Sequence, residues 1–143
     1  MTKPARDRDS EGRARQARPR DALGRPLPYG APGVEPVPEE PLPPEEALAT
    51  ARDLIDGGRP FAAHEVLEAR WKAGPAEEGD LWQGLAQVCV ALTHDARGNR
   101  LGAERLFERA ADRLAAFATT GRWAYGVDVP AAAEQARRHV ARF

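Results

Sequence analysis

The sequence has only one cysteine, Cys89, so it cannot form an intrachain disulfide or a metal site built from several thiolates. Cys89 lies between Val88 and Val90, which favours a small buried side chain over a reactive nucleophile. No apolar run approaches the roughly 18 residues that a membrane span needs, and the first residues lack the apolar centre of a secretion signal. We therefore expect a cytoplasmic protein without a membrane partner.

Charge of neither sign dominates, since 21 basic residues face 22 acidic residues. Residues 1–20 carry seven Lys or Arg against three Asp or Glu, whereas residues 35–46 carry five Glu and no base. Such short charge blocks, without interleaved aromatics, are typical of solvated chain and not of a nucleic-acid arm. Phosphate-binding glycine loops, Ser-His-Asp arrangements and nucleic-acid motifs are also missing. We expect no nucleic-acid partner.

Proline divides the chain into regions, because ten of the 13 prolines precede residue 45. Apolar periodicity is absent there, so residues 1–22 are predicted to be a disordered basic tail. Residues 23–44 are predicted to form a Pro-rich extended strap, partly docked on the core through its scattered apolar side chains. Residues 45–143 are left for one helical domain.

The helical domain shows apolar residues at helical spacing, separated by Gly and Pro at the expected ends. The predicted helices cover residues 44–56, 60–73, 75–97, 100–118 and 130–143. Asn99 suits the N-cap of the fourth helix, and Val140 and Phe143 are expected on one side of the last. Five helices with short connections and no strand pattern predict an all-α, compact antiparallel bundle.

Polar residues occupy the apolar side of the second and third predicted helices. His64 and Glu68 are one turn apart on the second helix, and a stripe on the third contains Gln83, Gln87 and His94. Because the intervening turn is short, Glu68 should face Gln83, and His64 should face Gln87. The sequence thus predicts a polar cluster inside a hydrophobic seam.

Three interpretations of this cluster stay open. In the first, Glu68 and Gln87 hold His64 as a satisfied structural histidine that fixes helix register. In the second, His64 and Glu68 bind a divalent metal ion and Glu65 acts as the catalytic base on a bound water. That ion would need His94, Glu104 or water as further ligands, because glutamine is a poor one. In the third, the cluster lines a pocket for an organic ligand.

Two tryptophans, Trp71 and Trp82, flank the turn between these helices. Packing is the favoured interpretation of both rings, although they also border the polar cluster and belong to the candidate binding surface. The string H-E-V-L-E at residues 64–68 is close to the metalloprotease motif H-E-x-x-H. It has Glu68 where the second histidine belongs, which argues against a protease.

Three segments together resemble the bacterial family known as domain of unknown function 309. They are F-A-A-H-E-V-L-E-A-R-W, L-W-Q-G-L-A-Q-V-C-V-A-L-T-H and R-G-N-R-L-G-A-E-R-L-F-E-R-A, within residues 45–118. The Pro-rich lead-in and the Arg, Ala and Gly content look like the actinobacterial branch. The resemblance implies a small all-helical domain without an established activity. Some members carry the label of metal-dependent hydrolase, which here would rest on His64, Glu65 and Glu68.

These observations predict a non-catalytic binding or interaction module, with the polar cluster setting helix register. A partner would bind the strap or a helix face, and self-association into a homo-oligomer is left open. The alternative is a metal-dependent hydrolase whose ion is held by His64 and Glu68. The sequence leaves the choice between enzyme and binding module undecided.

Overall fold

The computed structural model describes residues 20–27, 33 and 40–143. Within them the chain is all-α, with five helices and one turn of 3-10 helix, Ala76–Glu78. The helices are α1 Pro44–Asp56, α2 Pro60–Ala73, α3 Gly79–Ala96, α4 Arg100–Ala118 and α5 Val129–Arg137. The predicted disorder of residues 1–19 lies outside this part of the chain.

Helix α3 is the centre of the bundle because it packs against both α2 and α4, while α1 packs on α2 and α5 on α4. Its apolar residues are buried on more than one side, including Leu85, Ala86 and Ala91. Cys89 is fully buried, and burial raises the pKa of its thiol far above the ordinary 9.0. Its assignment as a small core side chain agrees with this position.

Glycine ends α1 and α3 as the sequence pattern predicts. Gly58 and Gly98 have φ of 75° and 83°, the left-handed conformation that a side chain disfavours. After each glycine the chain turns back, with Arg59 N donating to Leu54 O at 2.7 Å and Asn99 N to His94 O at 2.8 Å. These tight turns make successive helices neighbours.

The predicted N-cap at Asn99 is confirmed, since its side chain accepts a hydrogen bond from Gly102 N at 3.0 Å. The prediction for the third helix was too long at its start. Residues 76–78 form a 3-10 turn, with Glu78 N bonded to Pro75 O, and the α-helix begins at Gly79. Helices often begin with such a tighter turn, which periodicity alone does not distinguish.

The last helix was predicted too long at its end. It stops at Arg137, and Val140 is 42% exposed beyond it and not on its apolar side. Phe143 instead lies against α1, where its carbonyl accepts a hydrogen bond from Arg52 Nε at 2.6 Å and its ring lies under the guanidinium. The start of α5 is set by the Asp128 side chain, which accepts a hydrogen bond from Ala131 N at 3.1 Å.

Residues 20–27 form a compact loop against the head of α2, across the predicted boundary between tail and strap. The Asp21 carboxylate closes the loop by accepting from the backbone of Leu23 and Arg25. Gly24 lies on the Phe61 ring so closely that a Cβ would stand 2.2 Å from Cγ. Arg97 also donates to the Leu23 carbonyl. At the other end of the strap, Leu42 O accepts from Arg70 Nη1 at 3.3 Å.

Candidate functional site

The predicted pair on α2 is present as a ladder of three side chains. His64 Nε2 lies 2.7 Å from Glu68 Oε2, and Lys72 Nζ lies 3.0 Å from Glu68 Oε1. The residues are four apart, so helix geometry places them on one face. His64 is 20% exposed and Glu68 33% exposed. The expectation of a buried cluster is therefore corrected, because the ladder lies at the rim of the helix seam.

Burial lowers the pKa of His64 below its ordinary 6.5, since removal from water disfavours the charged ring. The Glu68 carboxylate favours the proton, but it offsets only part of this effect. The ring is consequently neutral at pH 7, with Nε2 in position to donate to Glu68. Its Nδ1 is buried and makes no hydrogen bond with the described residues.

Glu65, the residue considered as a catalytic base, directly follows His64 and lies three residues before Glu68 on α2. Burial raises its pKa above the ordinary 4.5, and the nearby charge of Glu68 acts in the same direction. Arg20 and Arg59 favour the ionised form. Arg20 belongs to the N-terminal loop, so the loop brings a positive charge to the head of α2. The ionisation of Glu65 is thus influenced by charges on α2 and by Arg20 of the loop.

The polar stripe on α3 does not close a hydrogen-bond network with α2 in the described part of the chain. Gln83 and Gln87 are half-buried, and Gln87 Oε1 is buried without a hydrogen-bond partner there. Glu68 holds His64, as expected, whereas Gln87 makes no hydrogen bond to it. His94 lies at the end of α3, where its Nδ1 is 3.0 Å from Asn99 Nδ2. It contributes to the turn before α4.

The described side chains around His64 and Glu68 do not supply enough ligands for the divalent metal ion of the alternative hypothesis. Across residues 20–27, 33 and 40–143, no three His, Cys, Asp or Glu side chains come together as a metal site. The Lys72 ammonium already occupies one oxygen of Glu68. A divalent cation at that carboxylate would be repelled by it. The arrangement therefore fits one carboxylate shared by a neutral histidine and a lysine better than it fits a metal centre.

A second polar contact, which the sequence interpretation did not identify, lies at the turn between α2 and α3. Glu78 Oε1 accepts from Trp82 Nε1 at 3.0 Å, and Glu78 Oε2 accepts from the Tyr125 hydroxyl at 2.6 Å. One carboxylate thus positions two aromatic side chains. The contact to Trp82 has a sequence signal, because residues four apart meet on a helix. The contact to Tyr125 has none.

Aromatic rings surround this carboxylate. Trp82 is fully buried, and its ring centroid lies 5.8 Å from that of Tyr125. Trp123 packs edge-on to Tyr125 at 6.4 Å, yet it remains 68% exposed. Trp71 is half-buried on the same turn, with its Nε1 3.6 Å from where a Cβ on Gly79 would lie. We call the surface formed by Trp71, Trp123 and Tyr125 the aromatic end.

The backbone also holds the aromatic end in place. Tyr125 has a φ of 56°, a conformation unfavourable for a residue with a side chain, and Gly126 follows at 89°. Val127 N bonds to Ala124 O at 3.0 Å across this turn. The hydrogen bond to Glu78 raises the pKa of the Tyr125 phenol above its ordinary 10.0. The phenol therefore stays protonated and keeps donating.

Comparison with known proteins gives one match. Residues 48–106 match the family model described as Domain of unknown function (DUF309). No curated protein and no solved structure matched the chain. None of the helices in the described ranges combines the length and apolar character needed to cross a bilayer. The family match, which extends from α1 into α4, supports the resemblance to the domain of unknown function 309 family that the sequence motifs indicated.

Proposed function

We propose that this chain is a non-catalytic protein-interaction module and that the aromatic end is its contact surface. The observation that carries the proposal is Trp123, a large apolar side chain that is 68% exposed yet fixed against Tyr125. Tryptophan and tyrosine are enriched among the residues that dominate binding at protein interfaces. An exposed ring that is already fixed loses little conformational freedom when a partner covers it.

The hydrogen bonds behind Trp123 support a binding role over a purely structural one. Tyr125 is restrained by its backbone turn and by Glu78, which is itself bonded to the buried Trp82. These contacts therefore connect the buried Trp82, through Glu78 and Tyr125, to the exposed ring of Trp123. The Trp123 ring itself covers little of the core. Arg70 adds a charge near Tyr125, and arginine is also enriched at interfaces.

The ladder on α2 has a structural role in this proposal. Its carboxylate is shared by His64 and Lys72 within a single helix, so it stabilises α2 and orients the face that meets α3. Nothing in that contact requires a substrate. Trp71, which α2 contributes to the aromatic end, directly precedes Lys72 of the ladder.

The proposal is tested by site-specific photo-crosslinking in the organism that produces the protein. A benzophenone amino acid replaces Arg122, which is exposed beside Trp123, and the crosslinked product is identified by mass spectrometry. We expect one dominant protein partner, and a second copy of this chain would count as such a partner. The same substitution combined with Trp123→Ala should abolish the product.

The matched control places the benzophenone at Leu101, which is 59% exposed on α4. This position should give no dominant product. Trp123→Ala alone should change the free energy of unfolding by less than about 0.5 kcal/mol, as is usual at exposed sites. The proposal fails if position 122 gives no specific product or if the product survives Trp123→Ala. It also fails if Leu101 captures the same partner.

A further inference from the structure

A cleft of about 260 Å³ lies at the opposite end of α3 from the aromatic end. It is bounded by the last turn of α3, the first two turns of α4 and the chain that follows α5. Its floor is apolar and belongs to the core, since Ala103 and Phe107 are 3% and 2% exposed. The lining residues are Asp95, Arg100, Ala103, Glu104, Phe107, Arg138 and His139.

The rim of the cleft carries charges of both signs, and several of them are not engaged. The side chains of Asp95, Arg100 and Glu104 make no hydrogen bond or ion pair with any residue of the described chain. Arg138 is paired with Glu134 at 3.2 Å, on the same helix end. Unpaired charges over an apolar floor complement a ligand with one positive and one negative group.

His139 forms one wall of the cleft in an unusual conformation. It ends α5 with a φ of 61°, at the position that Gly58 and Gly98 occupy after α1 and α3. The turn is complete, with His139 N bonded to Ala136 O and Val140 N to Gln135 O, both at 2.9 Å. Glycine would satisfy this backbone without strain. Histidine at this position therefore costs more backbone strain than glycine would.

The imidazole of His139 is held over the cleft floor by two contacts. It stacks on Phe107, with centroids 5.5 Å apart and planes 16° apart, and its Nε2 lies 3.5 Å from Glu108 Oε1. The ring is thus fixed beside Arg138 and opposite the first turns of α4. A strained backbone that presents a fixed side chain to a cleft is typical of ligand sites.

We propose that this cleft binds a small zwitterion, an α-amino acid with a small neutral side chain. The ammonium group would meet Asp95 and Glu104, and the carboxylate would meet Arg100 and Arg138. The side chain would lie on the floor near Phe107. The volume of the cleft, about 260 Å³, is sufficient for a ligand of this size. This site is independent of the proposed interaction surface.

The test is a titration of the full ¹⁵N-labelled chain with glycine, alanine, serine and valine, each added separately to about 10 mM, a range that detects millimolar dissociation constants. We expect saturable shifts of the amide signals of Ala103, Phe107 and His139 with at least one of them. Arg100→Ala and Glu104→Gln should each weaken binding by about tenfold or more, since each removes one charge contact. Arg105→Ala, on the same helix but outside the cleft, should bind as the unaltered chain does.

Acetate and methylammonium, which each carry one of the two charges, serve as partial ligands. Each should bind at least about tenfold more weakly than the amino acid. The proposal is overturned if no amino acid gives saturable shifts at the cleft, if acetate alone binds as tightly, or if Glu104→Gln has no effect. Glu104→Gln preserves side-chain shape, so it keeps the test decisive even where Arg100→Ala fails to fold.

Discussion

Tyr125 donates a hydrogen bond of 2.6 Å to Glu78, a residue 47 positions earlier in the chain. This contact joins the connection before α5 to the turn before α3. The other oxygen of Glu78 accepts from Trp82, so the connection is tied to the core through one carboxylate. The exposed Trp123 lies on the outer side of the same Tyr125 ring. The surface we assign to a partner is thus positioned by Glu78 together with the backbone turn at Tyr125.

Tyr125→Phe should lower the free energy of unfolding by about 1 kcal/mol, because it removes a hydrogen bond to a charged acceptor that is only partly buried. Urea denaturation measures the change, and a double-mutant cycle with Glu78→Gln isolates the pairwise contribution. Glu77→Gln, at the exposed neighbouring position, is the control and should have little effect. Additive single and double variants would show that the contact contributes nothing.

Local sequence signals predicted most of the fold. Gly and Pro at helix ends, the Asn99 cap and apolar spacing were sufficient because they act within one or two turns of chain. The end of α5 was missed because His139 takes a conformation normally reserved for glycine. The His139 ring stacks on Phe107, more than 30 residues earlier, and such a contact leaves no local pattern in the sequence.

The candidate sites were predicted less completely. The pair His64 and Glu68 was found because residues four apart on a helix meet. Counting residues from the turn could place Gln87 near His64, but it could not determine whether they bond. The contact between Glu78 and Tyr125 depends on how α3 and the later connection pack together. Spacing within one helix does not report such a contact.

Gly84→Ala should destabilise the protein, although alanine is the better helix former by about 1 kcal/mol. A Cβ there would stand 2.9 Å from Leu114 Cγ on α4. Leu114 is fully buried and has no room to move, and such overpacking costs about 1–3 kcal/mol. Thermal and urea unfolding measure the loss.

Gly79→Ala on the same helix is the matched control, because its Cβ would make only an ordinary 3.6 Å contact with Trp71. It should be neutral or stabilising by up to about 1 kcal/mol. Equal changes in the unfolding free energy of the two variants would contradict the idea that close packing of α3 against α4 requires glycine at position 84.

Stability should fall as the pH drops below about 6.5, and part of that fall should come from His64. Its pKa is lowered in the folded state, so the unfolded chain binds the proton first as the pH falls. Stability is lost between the unfolded and the folded pKa and stays lost at lower pH. One proton gives a slope of at most about 1.4 kcal/mol per pH unit. His64→Gln should flatten the dependence of the unfolding free energy on pH over this range.

The control for this titration is His94→Gln, since His94 lies in the turn after α3 and away from the ladder. In this variant the dependence of the unfolding free energy on pH that comes from His64 should be unchanged. A His64→Gln variant with the same pH dependence as the unaltered chain would contradict a lowered pKa for this ring.

Chelation should not change the thermal midpoint, and protein purified without an affinity tag should contain no stoichiometric metal. The reason is that Lys72 already neutralises the Glu68 carboxylate that would have to hold the ion. Metal analysis and thermal unfolding with and without a chelator test this. A bound divalent ion that is lost in His64→Ala would instead restore the metal-dependent hydrolase hypothesis, with Glu65 as its base.

His139→Gly should be more stable than His139→Ala by about 1 kcal/mol. Both variants lose the stacking on Phe107, but only alanine keeps a Cβ in the left-handed conformation at φ 61°, where the steric penalty is about 1–2 kcal/mol. The comparison therefore measures the strain that the native histidine tolerates. Urea denaturation of the two variants gives the difference. Equal stabilities would contradict a strained backbone at His139.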